Sequence, residues 1–187
     1  SISDFIGKNS KQSADYYILK FAKLMRRVLE HSEQEKIPLS EDNKTLTLYL
    51  ELESLRLNNK FNFGIKVESN IDIENTFVPP HLIQPFVENS IWHGIAKKEG
   101  NGHIIVVVRR ENNILKCVIE DDGIGRIKVM QLPASGIKKI RKSFGINITR
   151  QRIDMLNGAK SKSPSLRFID LPVGTRAEIN VPVNLAI

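Results

Sequence analysis

From Ala14 onward, Tyr16, Tyr17, Leu19, Phe21, Leu24, Val28 and Leu29 recur at spacings of three and four. Phe5 and Ile6 open the same pattern, so the periodicity predicts a helix over residues 3–31. The polar stretch "HSEQEKIPLS" then breaks the pattern at Pro38. Ser40 is suited to cap a second helix, with Glu41 and Asp42 in its first turn. The next segment, "LTLYLELESL", reads two ways. Leu46, Leu48, Leu50 and Leu52 alternate strictly, as in a strand. At helical spacing, Leu48, Leu52 and Leu55 form one stripe, and Leu46 and Leu50 another. Leucine and glutamate favour helix, and two stripes suit a helix packed on both sides, as in a bundle or across a dimer.

The texture changes at residue 61. "FNFGIKVES" alternates and predicts a strand. Val78-Pro79-Pro80 is read as the opening of a helix running to about Lys97, because proline is tolerated in a first turn. Pro85 is then expected to kink it. "GHIIVVVRR" and "ILKCVIE" flank Asn112-Asn113 and predict a hairpin. Residues 126–142 are basic and irregular. "GINITRQRIDMLNG" returns to helical spacing with Gly158 as its stop. "SLRFID" and "TRAEINVPV" predict two last strands joined by "LPVG". The expected fold class is α+β, with a division near residue 60: helices over 1–60, then a mixed domain over 61–187.

Composition narrows the partners. The 187 residues are 41% apolar with 26% charged, enough for one good core. A net charge of +7 favours an anionic partner, whether nucleotide, nucleic acid, phosphoprotein or membrane surface. The single cysteine, Cys117, excludes a disulfide framework. The longest apolar run, "IIVVV" at 104–108, falls far short of the roughly 20 residues a membrane span needs. The chain opens at Ser1 in mid-pattern and is read as part of something longer.

Four short motifs carry candidate chemistry. Asn89 and His93, in "PFVENSIWHG", stand four residues apart on one helix face. An amide oxygen can ligate Mg²⁺, and a histidine one turn later can reach the phosphates it bridges; a solvated polar face is the alternative. "EDDGIGR" sets Asp121 before Gly123 and Gly125. A carboxylate there can accept from an adenine amino group while the glycines let backbone approach the ligand; a plain turn is the alternative. "KKIRKSFGINITRQR" places Gly145 between a basic loop and a helix start, an arrangement suited to polyphosphate, or simply a solvated basic loop. In "VGTRAEINV", Gly174 and Thr175 either complete a pocket or open a strand.

In this order and spacing the motifs resemble the Bergerat ATP-binding fold shared by DNA gyrase B, MutL and the histidine kinases. More narrowly, "PPHLIQPFVENSIWHGI" is similar to the ATP-binding domain of LytS-type sensor histidine kinases, whose pattern is close to Pro-Pro-x-x-x-Gln-Pro-x-Val-Glu-Asn-Ala-x-x-His-Gly. The resemblance covers essentially the whole chain. It implies a Bergerat-type α/β sandwich, with a mixed, mostly antiparallel sheet carrying helices on one face, preceded by a helical dimerisation hairpin. It implies ATP and Mg²⁺ as ligands. Asn89 then corresponds to the metal-binding Asn and His93 to a phosphate-side contact. Asp121 reads adenine, with Gly123 and Gly125 behind it. Gly145 ends the lid, Lys142 is a lid cation beside Lys138, Lys139 and Arg141, and Gly174 with Thr175 forms the last nucleotide motif. A lid over 126–144 is expected, with residues 126–142 poorly ordered without nucleotide.

Three departures stand out. Ser90 replaces the usual Ala, without expected consequence. "SFGINIT" lacks one glycine and the Asn of the family's Gly-x-Gly-Leu-x-Asn run. Where hydrolysing relatives keep a glutamate base, four residues before the metal-binding Asn, this chain has Pro85; Glu88 points about 100° away from Asn89 on a helix. The arrangement suits holding ATP rather than hydrolysing it.

The resemblance further implies transfer of the γ-phosphoryl group to a histidine, and thence to a response regulator of the LytTR type. The acceptor motif, Asn-Pro-His-Phe-x-Phe-Asn-x-Leu-Asn-x-Ile, aligns about eight residues ahead of Ser1, so this chain alone is not expected to autophosphorylate. His31 is read as a helix C-terminal residue, and His81 and His103 lack the partners a zinc site needs. The implied whole is a homodimeric bacterial membrane protein with this part in the cytoplasm. The alternatives are a degenerate kinase or non-kinase ATP switch of the same superfamily, and a basic nucleic-acid module. The last is disfavoured because "VVVRR" lacks interleaved aromatics.

Overall fold

The computed structural model describes residues 11–126, 149–151, 153–154 and 165–185. The expected helix start at 3–10, the lid after Arg126 with Lys142 and Gly145, and the Gly158 stop lie outside the described residues.

Helix α1 spans Lys11–Ser32 and buries Ala14, Tyr17, Leu24 and His31. Strand β1 is the pair Ile37–Pro38, and helix α2 follows at Leu39–Arg56. Ser40 is not the cap: Pro38 takes that position without a side-chain cap bond. The Ser40 hydroxyl instead donates to Glu74 at 2.8 Å, and its N–H to the Ile73 carbonyl at 3.0 Å. Neighbouring loop backbone thus satisfies a donor that a cap side chain would otherwise serve.

The two leucine stripes of α2 face different partners. Leu48 and Leu52, with Leu55 alongside, pack on Tyr17 and Leu24 of α1. Leu39, Leu46 and Leu50 enter the main core with Phe61, Ile83, Phe86 and the sheet. The alternation of leucines is therefore that of a helix buried on two sides. Ion pairs Lys20–Glu51 and Arg27–Glu41 close the seam with α1.

The main sheet contains β2 (Phe61–Val67), β4 (Gly102–Glu111), β5 (Ile114–Asp121), β6 (Leu166–Asp170) and β7 (Thr175–Pro182). Its order is β2-β4-β5-β7-β6, parallel only between β2 and β4. Glu111 pairs with Ile114 across Asn112-Asn113, as the hairpin signal predicts. Alternate residues Ile104, Val106, Val108, Leu115, Cys117, Ile119, Ala177, Ile179 and Val181 are buried on one face, and the helices share their core. That is the expected α+β sandwich with helices on one side of a mostly antiparallel sheet.

A second sheet joins β1, β3 (Thr76–Val78) and β8 (Asn184–Leu185). Its strands are too short to show a period. It also corrects the helix start: Val78 ends β3, paired with Ile37, rather than opening a helix. Proline forces the residue before it into extended backbone, and His81 turns the chain with φ of 57°. Helix α3 begins only at Gln84 and ends at Asn89, followed by a π-helical turn at Ser90–Gly94 and a 3₁₀ turn at Ile95–Lys97. Pro85 therefore lies in the first turn, where its missing N–H is harmless, and causes no kink.

The His81 N–H donates to the Asp42 carboxylate at 2.8 Å, tying α2 to the turn before α3. Burial raises the Asp42 pKa from 3.8 to about 7, against the lowering effect of that bond. A raised folded pKa stabilises the fold at low pH, and this contribution is lost as pH rises from about 4 to 7. Asp42→Asn keeps the acceptor without the charge. Denaturant titrations should show it more stable than the parent above pH 7, by up to about 4 kcal/mol, with the gap closing toward pH 4. A gap independent of pH would remove Asp42 as the titrating group.

Candidate functional site

Asp121 is the last residue of the central strand β5, and it pairs with Thr175 at the start of β7. Its exposure is only 6%. The chain turns immediately after it, and the Gly123 N–H donates back to its Oδ1 at 2.9 Å. Burial raises the Asp121 pKa; bonds from the Ser90 hydroxyl and the Gly123 and Thr175 backbone work against that, while the Asp122 charge adds to it. A buried carboxylate so held is oriented and retains acceptor capacity for a polar ligand group.

Three glycine-bearing segments close on Asp121, two on its carboxylate and one on its backbone. A Cβ at Gly94 would stand 2.8 Å from Asp121 Oδ1, and one at Gly123 would stand 2.4 Å from Gly94 Cα. The Ile124 N–H donates to the Gly94 carbonyl at 3.4 Å. At Gly174, φ is +81° and a Cβ would come within 1.8 Å of the Asp121 carbonyl oxygen. No side chain fits there, so the backbone of "LPVG" lies directly against the end of β5. Asp122 faces elsewhere: it accepts from Lys98 Nζ at 2.8 Å and the His103 N–H at 2.7 Å. Burial alone would raise its pKa, but these bonds prevail and lower it.

Asn89 and His93 are both half-buried, on the short helical segment whose end, Gly94, touches Asp121. Ser90, Ile91 and Gly94 bury the inner side of the π turn. Burial, then the charge of Lys97, lower the His93 pKa, so at neutral pH it presents an uncharged imidazole. Glu88 is half-buried; it accepts from Gln84 at 3.0 Å, and burial, with the charge of Glu53, raises its pKa against that bond.

The structure thus gathers Asp121, Gly123, Gly125, Gly174 and Thr175 into one place, with Asn89 and His93 on the adjoining helical segment. Two participants were not singled out. Gly94 reads in the sequence as an ordinary residue of a helical run, although a glycine inside such a run often marks close packing. Ser90 is more than a neutral replacement: it is buried and its hydroxyl bonds Asp121.

Residues 1–61 match the family model described as histidine kinase. Over 177 residues, 94% of this chain, the sequence is 29% identical to the sensor histidine kinase/phosphatase LytS of Staphylococcus aureus (strain MRSA252). The match spans 30% of that relative's length. The fold is similar to the histidine kinase domain of the blue-light activated histidine kinase from Erythrobacter litoralis EL346, with a TM-score of 0.57 at 15% identity, covering 89% of this chain and 75% of that one. It is also similar to the histidine kinase ThkA, solved in complex with the response regulator protein TrrA, with a TM-score of 0.51 at 14% identity, covering 91% and 49%. The chain therefore has a histidine kinase fold and is similar to LytS-type sensor kinases along nearly its whole length.

The packing at Gly174 is directly testable. Gly174→Ala should cost at least about 2 kcal/mol in urea denaturation, combining a left-handed φ with a backbone clash. Gly64→Ala, where a Cβ meets nothing within 4 Å, should be neutral or slightly stabilising. Equal stabilities for the two variants would contradict the close approach.

Proposed function

We propose that this chain, with its histidine kinase fold and its likeness to LytS, binds ATP with Mg²⁺ and serves as the catalytic part of a two-component sensor histidine kinase. The observation that carries this reading is the buried Asp121 with three glycine-bearing segments packed round it. A buried carboxylate flanked by backbone too close for side chains suits an exocyclic amino group, and Asp121 would accept from the adenine N6. Gly123, Gly125 and Gly174 would let backbone line the base and sugar, with Thr175 beside Asp121 as their register partner. The phosphates would extend toward Asn89 and His93, under Lys142 and Gly145 of the lid.

The donor set suits Mg²⁺. Among the described residues, no group of three or more His, Cys, Asp or Glu could hold a metal ion. Mg²⁺ needs no such cage, because it keeps several waters and takes its remaining ligands from one or two protein oxygens and the substrate phosphates. The Asn89 amide oxygen supplies one hard donor. When bound, the ion would neutralise phosphate charge. His93 would give an N–H to a phosphate oxygen, and the lid cations would add charge-assisted donors.

In the transfer step a histidine ring nitrogen attacks the γ-phosphorus, the bond to the bridging oxygen breaks, and ADP leaves with the electron pair. The acceptor is the histidine that the family motif places ahead of Ser1. His31 is ill suited to this role: it is 6% exposed and its ring lies 6.1 Å from that of His81. A response regulator, of the LytTR type by the same resemblance, would receive the group. Domain limits of 1–60 and 61–187 go with this reading. So does a homodimer formed along the outer face of α1, where Ile18, Met25 and Leu29 are 48%, 41% and 64% exposed, with Ala22 between them at heptad-like spacing. No helix among the described residues is long and apolar enough to cross a membrane. In the proposed whole, this part lies on the cytoplasmic side of a bacterial membrane receptor.

Calorimetry tests the pocket. The parent chain should bind Mg·ATP. Asp121→Ala should lose ATP and adenosine alike by at least about 100-fold, as expected when a buried polar partner is removed. Asn89→Ala should weaken Mg·ATP by about tenfold or more while leaving adenosine unchanged. Unaltered affinity in both variants would refute the assignment. Transfer is tested with γ-labelled ATP: the chain should stay unlabelled, and one extended upstream through the acceptor motif should gain acid-labile phosphate. An extended chain that binds ATP but never labels would point instead to a degenerate kinase or a non-kinase switch.

A further inference from the structure

Trp92, the single tryptophan of the chain, lies in the π turn between Asn89 and His93 and is 46% exposed. A large aromatic residue there has no part in the site just described. It is nonetheless held from one side. The Arg56 guanidinium lies 4.1 Å from the centre of its ring. Glu53 grips Arg56 through both carboxylate oxygens, with contacts of 3.2, 3.2 and 2.6 Å, and both side chains are largely shielded. The Tyr49 hydroxyl, kept protonated by burial, hydrogen-bonds the Trp92 side chain. An indole N–H can only donate, so the Tyr49 oxygen accepts.

Tyr49, Glu53 and Arg56 stand at i, i+4 and i+7 of α2, on a strip between its two leucine stripes. Tyr49 also packs on the main core and on the α1 cluster, while Arg56 and Tyr49 carry this third strip onto the π turn through Trp92. A π-helical turn is intrinsically less favourable than continued α-helix and persists where its surroundings hold it. Its inner side is anchored by Ser90, Ile91 and Gly94, and its outer side by this set of α2 side chains.

We infer that Tyr49, Glu53, Arg56 and Trp92 form a positioning clamp through which α2 sets the geometry of Asn89 and His93. They are positioning residues and touch no ligand. The inner side of the π turn, Ser90 and Gly94, also reaches Asp121, but Asp121 is placed by β5, by its register with Thr175 of β7 and by the Gly123 N–H. The clamp, on the outer side of the turn, therefore acts first on the phosphate and metal side of the site, while strand pairing with Thr175 fixes the adenine side. It gives the Arg56–Trp92 stack a use beyond surface packing: a shift of α2 reaches Asn89 and His93 before it reaches Asp121.

This inference rests on the nucleotide reading of the site, and two measurements on the whole chain separate their fates. In the first, amide hydrogen exchange without ligand compares the parent with Arg56→Ala. The clamp requires exchange at residues 90–94 to rise at least about fivefold while residues 117–121 keep their protection. In the second, calorimetry compares Mg·ATP with adenosine for the parent, Arg56→Ala and Trp92→Phe. Both variants should weaken Mg·ATP about fivefold and leave adenosine within about twofold, since one kcal/mol of lost positioning is about a factor of five. Unchanged exchange at 90–94 overturns the clamp. Equal losses for both ligands also overturn it, because they mark a general structural effect. A parent chain that binds neither ligand refutes the nucleotide reading alone, and the exchange result then decides the clamp.

Discussion

The backbone of Gly174 runs so close to the end of β5 that its missing side chain is a steric necessity. This contact joins a turn late in the chain to the Asp121 backbone carbonyl, while the Asp121 carboxylate receives Gly94 from the helical segment and Gly123 from its own turn. Much of the site depends on these approaches. If any of the three backbones were held off by a methyl group, the carboxylate would gain water and the motifs would separate. Close packing transmits even small volume changes, so the pocket is specified by what is absent at these positions as much as by the acid they surround.

Helix α2 imposes the second constraint. It has one stripe for α1, another for the sheet core, and a polar strip for the turn that follows Asn89 and carries His93. A helix used on three sides cannot move without disturbing one of them. The leucines resist displacement through apolar burial, whereas the Arg56–Trp92 stack and the Tyr49 bond are directional and partly wet. Of the three contacts, this last is the weakest and the most easily remade. Asp42, buried under the turn at His81, adds a charge-dependent bond at the other end of the same helix.

Much of the fold was readable along the chain. The strand from 61 to 67 declared itself by alternation, and the pair from 102 to 121 by apolar runs flanking the Asn112-Asn113 hairpin signal. The helix over 39–56 was separable from a strand by its composition and double stripe. The small sheet was not readable: strands of two or three residues have no period, and their pairing joins Ile37, Val78 and the end of the chain. The start of α3 was misplaced for a related reason. Two prolines suit a helix start and an extended segment equally, and only pairing with β1 selects the latter.

The candidate residues were singled out by the order of four motifs, which resembles the Bergerat-type fold; alone, each reads as readily as a polar face, a turn, a basic loop or a strand start. Sequence by itself thus determined which residues were available, and the alternation that puts Asp121 on the buried face of β5. Only tertiary structure decided that Asp121 meets Thr175, Gly94 and Ser90 together, since those contacts depend on strand register and helix placement between segments far apart in the chain. It also decided that the turn after Asn89, which holds His93, is π-helical. Local pattern cannot distinguish α from π, and the wider turn is retained here by packing inside and by α2 outside.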